Sequence, residues 1–174
     1  MTAIERAPAA WGEPRTRTVT WYDPHATAAA GARLSGRDYL QAIADGTLPP
    51  PPIASLLDFR ITLVDDGEVA FAVTPDESAY NPIGLVHGGL VCTLLDSVVG
   101  CAVQTQLPAG TGYTSIELKV SYVRPIHADT GEVLSRGWVT KPGRRVAFAE
   151  GDVRDRDGRL LASASSSLLV IPPA

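Results

Sequence analysis

The run Asn81-Pro82-Ile83-Gly84-Leu85-Val86-His87-Gly88-Gly89, with Asp96 eight residues beyond Gly88, holds the residue types most capable of chemistry in this chain. Two glycines where a helix begins leave its first N–H groups open at the positive end of the helix dipole, and a ligand oxygen can approach them closely. That is the machinery of an oxyanion hole. Asp96 lies in the middle of the most apolar stretch, GGLVCTLLDSVVGCAVQT. A lone carboxylate among apolar side chains is costly unless paired or used. Plainer roles fit each residue singly: a structural partner for Asp96, or tight helix–sheet contact at Gly88 and Gly89. His87 would then hold its loop by a hydrogen bond, and Asn81 would make a turn before Pro82. Spacing constrains their joint use. Eight residues of helix span ~12 Å, and reacting groups need contacts of ~3 Å, so Gly88 and Asp96 of one chain cannot serve one carbonyl. Two antiparallel copies of the helix about a two-fold axis would bring Gly88 of one chain to Asp96 of the other, a site shared between subunits.

The rest of the chain must position that pair. Its 174 residues suit one domain with an appendage, and 45% hydrophobic with 20% charged residues exclude wholesale disorder. Fifteen basic against 19 acidic residues give a net charge of −4, which disfavours a general nucleic-acid partner. Cys92 and Cys101, nine residues apart on one helix, face opposite sides ~13.5 Å apart along the axis and cannot pair. No signal-like leader and no run of ~18 apolar residues is present, so the expectation is a cytoplasmic protein with no membrane partner.

Seven of the 14 prolines fall within residues 1–52. Residues 1–34 show no sustained periodicity and are expected to drape as an arm. Ser35 caps a short helix over residues 36–44, with Asp38 in the capping-box position and Gly46 as its stop. Pro49–Pro52 then make an extended connector, so the boundary is drawn as an N-terminal arm over 1–52 and a main domain over 53–174. From Phe59 the period is two. Phe59, Ile61 and Leu63 alternate, Asp66-Gly67 turns, and Val69, Phe71 and Val73 alternate. A helix over about 88–105, apolar on nearly every face, is expected to be buried. Four strands follow: Ile116, Leu118, Val120 and Tyr122 share one face, a strand over about 131–140 comes next, Val146 and Phe148 share a face, and the last strand runs over 160–171. Strands in direct succession imply an α+β fold: a curved antiparallel sheet of about six strands around one long helix.

The segments NPIGLVHGGLVCTLLDSVVGCAVQTQLPAG, YTSIELKVSYVRPI and GRRVAFAEGDVRDRDGRLLASASS together resemble the PaaI-like acyl-CoA thioesterases of the hotdog-fold superfamily. The likeness covers roughly residues 37–170. It implies a hotdog fold, self-association as a dimer or tetramer, and hydrolysis of an acyl-CoA to free acid and coenzyme A, with an aromatic (phenylacetyl-like) or medium-chain acyl group. By position it makes Asp96 the general base or nucleophile and Gly88 the N–H that polarises the thioester carbonyl, with Gly89 beside it in contact with substrate. Asn81 and His87 are polar groups at the helix mouth. Thr114 is placed where a hydroxyl positions water, with Ser115 as the adjacent alternative. The turn Lys141-Pro142-Gly143-Arg144-Arg145 lies near the nucleotide end of coenzyme A, and a cluster of cations suits its phosphates.

Other chemistries find little support. GTGYTS at residues 110–115 follows a helix and lacks a third glycine, so it is no dinucleotide loop. A G-x-S-x-G elbow is missing, His25, His87 and His127 are scattered, and no spacing suggests zinc. No metal or redox cofactor is therefore expected. Leu85, Val86, Val91 and Leu95 are candidates to line an apolar pocket. Two alternatives share the fold: an acyl-CoA-binding module without catalysis, and an enoyl-CoA hydratase or dehydratase using His87.

Overall fold

The structure, a computed structural model, describes residues 11–173; the first ten residues of the expected arm lie outside it. Residues 11–23 are largely irregular, and Arg15 pairs with Glu77 while Arg17 meets the Leu56 carbonyl. The arm also contains a helix not anticipated from the sequence, α1 (Pro24–Gly31). Its start carries a local signal: Asp23 accepts from the His25 N–H, and Pro24 occupies the first turn, where a missing N–H costs nothing. Helix α2 (Gly36–Ala44) forms as expected, with Ser35 Oγ accepting from Asp38 N at 3.2 Å and Gly46 at φ +79° past its end. The proline run is shorter as a connector than anticipated. Pro52 opens a further helix, α3 (Pro52–Leu57), closed by Asp58 in the left-handed region at φ 56°.

Strands β1 (Phe59–Asp65) and β2 (Glu68–Val73) form the hairpin, and α4 (Gly88–Gln104) follows. Strands β3 (Gly112–Tyr122), β4 (Val133–Lys141), β5 (Val146–Arg154) and β6 (Leu160–Ile171) complete the chain. All six make one sheet in the order β1-β2-β4-β5-β6-β3, antiparallel throughout, so β1 and β3 are its edges. The sheet curves around α4, the α+β arrangement expected from the order of elements. Leu94, Leu95, Val98, Val99 and Val103 of α4 are buried against it. The approach is close because the facing positions are small: Ala147, Ala149 and Ala162 are buried, and a Cβ at Gly137 would lie 2.4 Å from the Val98 backbone.

Three expectations about faces are corrected. The helix is not apolar all round: Gly89, Thr93, Asp96 and Ser97, at three- and four-residue spacing, stay at least partly open, and Asp96 is exposed in the protomer. Alternation along β3 breaks at a bulge between Ser115 and Glu117. It turns Ile116 outward, 55% exposed, and puts Tyr113 and Ser115 in phase with the inner Leu118 and Val120. A similar shift between Ile61 and Leu63 exposes Leu63. On β5 Val146 and Phe148 share a face as expected; it is the outer one, and the inner residues are Ala147, Ala149 and Val153.

Candidate active site

The mouth of α4 is tightly hydrogen-bonded. Asn81 closes the preceding loop: its N–H donates to the Leu85 carbonyl at 2.7 Å, and its Oδ1 accepts from Ile83 N and Leu85 N, both at 3.1 Å. His87 donates its N–H to the Ala79 carbonyl at 2.7 Å, and its own carbonyl accepts from Leu90 N at 3.0 Å. Its Nδ1 accepts from Gly89 N at 2.8 Å, which leaves the ring proton on Nε2. Tyr122 Oη donates to the Gly88 carbonyl at 3.1 Å and lies 2.9 Å from Cys92 Sγ. The peptide joining Gly88 and Gly89 is thus held at both ends, by Tyr122 on its C=O and His87 on its N–H. The Gly88 N–H itself meets no acceptor among the described residues. A Cβ on Gly88 would come within 2.9 Å of Tyr122 Oη, so any side chain here would have to displace the tyrosine that holds the Gly88 carbonyl. Its bond with Cys92, and then burial, push the Tyr122 hydroxyl up to about 12, so it remains a donor across the neutral range.

Asp96 looks elsewhere. Its Oδ1 accepts from Ser115 Oγ at 2.7 Å, a contact made possible by the β3 bulge phase; Thr114 faces away from it. Both residues open on a cavity of about 450 Å³. One wall is α4, with Ser97, Cys101 and Gln104, and another is Phe59, Ile61 and Phe71 of the first hairpin. The remaining wall comes from α2, Pro50, Pro51 and α3. Cys101 opens into this cavity but is surrounded by protein, and that burial pushes its thiol up to about 12; burial likewise raises Tyr113 and Tyr39. Of the residues expected to line an apolar pocket, Leu95 is fully buried. Leu85, Val86 and Val91 instead line a separate depression of about 430 Å³ at the helix mouth, beside Gly88 and Tyr122.

The basic turn is placed apart from both. Lys141, Arg144 and Arg145 have no carboxylate within 4 Å among the described residues. Gly143 is a tight-turn residue, since a Cβ there would lie 1.9 Å from the Val146 carbonyl oxygen. Pro142, Gly143 and Arg144 border a depression with Gln106 and Leu107 beyond the C-terminal end of α4. The protomer therefore brings Asn81, His87, Gly88 and Gly89 together, joins Asp96 to Ser115, and leaves Thr114 and the basic turn outside both groups. Two contributions were missed from sequence: Tyr122, whose contact with Gly88 joins residues 34 apart and leaves no local signal, and the α2–α3 wall, which depends on long-range packing. Among the described residues no three His, Cys, Asp or Glu gather as a metal site.

Comparison with known proteins identifies the family. Residues 83–162 match the model of the Thioesterase superfamily. Acyl-coenzyme A thioesterase 13 of Homo sapiens is 32% identical over 107 residues, 59% of this chain and 74% of that one. The chain belongs to the thioesterase superfamily. A relative of this thioesterase from Halobacterium salinarum is 32% identical over 103 residues, 56% of this chain and 66% of the other. Among solved structures, a phenylacetic acid degradation-related protein of Ralstonia eutropha JMP134 superposes with a TM-score of 0.68 at 28% identity, covering 75% of this chain and 98% of that one. The matched segment of the thioesterase begins at the loop before α4 and ends in β6, so it contains both Gly88 and Asp96. No helix among the described residues is long and apolar enough to cross a membrane.

Proposed function

We propose that this chain hydrolyses an acyl-CoA thioester, with Asp96 as general base and the Gly88 N–H of a neighbouring copy as oxyanion donor. The observation that carries the reading is the division of labour along α4: the Gly88 N–H at its mouth, unengaged among the described residues, and a Ser115-held carboxylate on an open apolar cavity eight residues on. Ser115 occupies Oδ1, so Oδ2 is available to take a proton from water. The resulting hydroxide attacks the thioester carbonyl carbon. The Gly88 N–H stabilises the oxyanion, the C–S bond breaks, and the proton passes to the departing coenzyme A thiolate. The reaction draws on no metal or redox cofactor.

The shared site needs a second copy, and β3 supports one. It is an eleven-residue edge strand whose outer side pairs with no strand among the described residues, and Ile116 and Val123 are 55% and 49% exposed. Such an edge is a template for another strand. Two β3 strands pairing about a two-fold axis would set the two α4 helices side by side and antiparallel. Lys141, Arg144 and Arg145, with no carboxylate partner among the described residues, would meet coenzyme A phosphates. The hydratase alternative weakens, because the Nδ1 of His87 is committed to Gly89 and the ring does not line the Asp96 cavity.

The deciding experiment is Asp96→Asn assayed for thiol release over a panel of acyl-CoAs. Turnover is expected to fall by roughly three orders of magnitude, with oligomeric state and melting temperature retained. Full turnover in the variant would remove Asp96 from the chemistry.

A further inference from the structure

We propose that the cavity behind Asp96 receives the acyl group, and that residues 39–54 of the N-terminal segment set the length of acyl chain accepted. The inference rests on the thioesterase reading above and adds what its substrate looks like. Helices α2 and α3 and the prolines between them lie outside residues 83–162, so nothing in the family match assigns them a part. Yet Tyr39, Leu40, Ile43, Ala44, Ile53 and Ala54 wall the cavity into which Asp96 opens.

Its dimensions follow from α4. Asp96 and Gln104 both line the cavity and stand eight residues apart, so it extends ~12 Å along the helix. The far end is closed: the Gly36 N–H donates to the Leu107 carbonyl at 3.0 Å, and a Cβ at Gly36 would lie 1.8 Å from the Gln104 carbonyl oxygen. The start of α2 is thereby seated on the end of α4. Staggered carbon–carbon bonds of about 1.5 Å advance a chain by about 1.25 Å per carbon, so ~12 Å accommodates about nine carbons. The walls are chiefly apolar. Among the described residues Arg60 is the one cation lining the cavity, and it pairs with Glu132 at 2.7 Å; the Tyr39, Cys101 and Tyr113 groups stay neutral. An uncharged, extended acyl chain fits these walls; one ending in a carboxylate does not. Each methylene taken from water into such a pocket strengthens binding about fourfold, so length discrimination is the natural consequence.

The test is the ratio of kcat/KM for nonanoyl-CoA to that for butyryl-CoA, measured on the full chain. In the wild type the ratio exceeds unity, and adipyl-CoA, with its terminal carboxylate, is turned over poorly. Ala44→Trp, at an exposed position at the end of α2 that borders the cavity, lowers the ratio about tenfold. Ile43→Ala, opening the same wall, shifts the preferred chain to greater length. The two variants act in opposite directions, so a general loss of folded protein, which scales every substrate alike, does not imitate the result. Unaltered ratios in both variants, with Asp96→Asn still inactive, would overturn the acyl assignment and leave the hydrolase reading standing. A wild type inactive on every acyl-CoA would overturn both.

Discussion

At the mouth of α4 the Asn81, His87, Gly88 and Gly89 groups are tied by a dense set of hydrogen bonds, whereas eight residues along the same helix Asp96 has one partner and faces about 450 Å³ of open space. The mouth is built from short contacts that a side chain at Gly88 would disturb by pushing on Tyr122; the cavity is a space of about 450 Å³ between helix faces and prolines. An oxyanion donor must be held to a fraction of an ångström to be worth its full effect. An acyl pocket needs volume and apolar walls, and small displacements there cost little. On the proposed mechanism, precision would be concentrated where charge develops, and tolerance where the chain of the substrate lies.

Mutations can break or sharpen that contrast. After Asp96→Asn, the largest effect is expected from Gly88→Ala: the added methyl meets Tyr122 Oη, the mouth shifts, and kcat falls about a hundredfold. Overpacking costs about 1–3 kcal/mol of stability there, readable as a lower melting temperature. A Gly88→Ala variant with unchanged kcat would show that the mouth is as tolerant as the cavity. Ser115→Ala leaves the carboxylate without its partner and is expected to lower kcat roughly tenfold with KM little changed, with recovery in Ser115→Thr. Equal loss in both variants would reduce Ser115 to a packing role.

The smallest effect belongs to Tyr122→Phe, a few-fold fall in kcat from a less firmly held Gly88–Gly89 peptide. Its pH dependence has a definite sign. The Tyr122 hydroxyl, bonded to Cys92, is held protonated up to about 12, above the ~10 of a free tyrosine. Its contribution to stability is therefore fully present below about pH 10 and lost as pH rises towards 12. The stability difference between wild type and Tyr122→Phe should stay constant to about pH 10 and shrink above it, with tyrosinate absorbance tracking the loss. A difference that shrinks well below pH 10 would show that the bond to Cys92 does not hold the proton.

Much of this protein was decided by local sequence. Period-two alternation around Asp66-Gly67 specifies the first hairpin, because strand faces alternate and few dipeptides make so tight a turn. Ser35 and Asp38 specify the start of α2, and Gly88, Gly89 and Asp96 mark the helix that matters, since such residues carry their meaning in their own chemistry. Asp23-Pro24 and Pro52 were equally local signals for α1 and α3, obscured by a proline-rich background that reads as extended chain. Tertiary structure alone decided the rest. A single inserted residue in β3 reverses which hydroxyl faces inward, so Ser115 and not Thr114 meets Asp96; periodicity cannot locate a bulge. Nor can it show that residues 39–54 fold back onto the face of α4 that Asp96 occupies, because that contact joins segments some fifty residues apart and depends on packing complementarity that no short window of sequence contains.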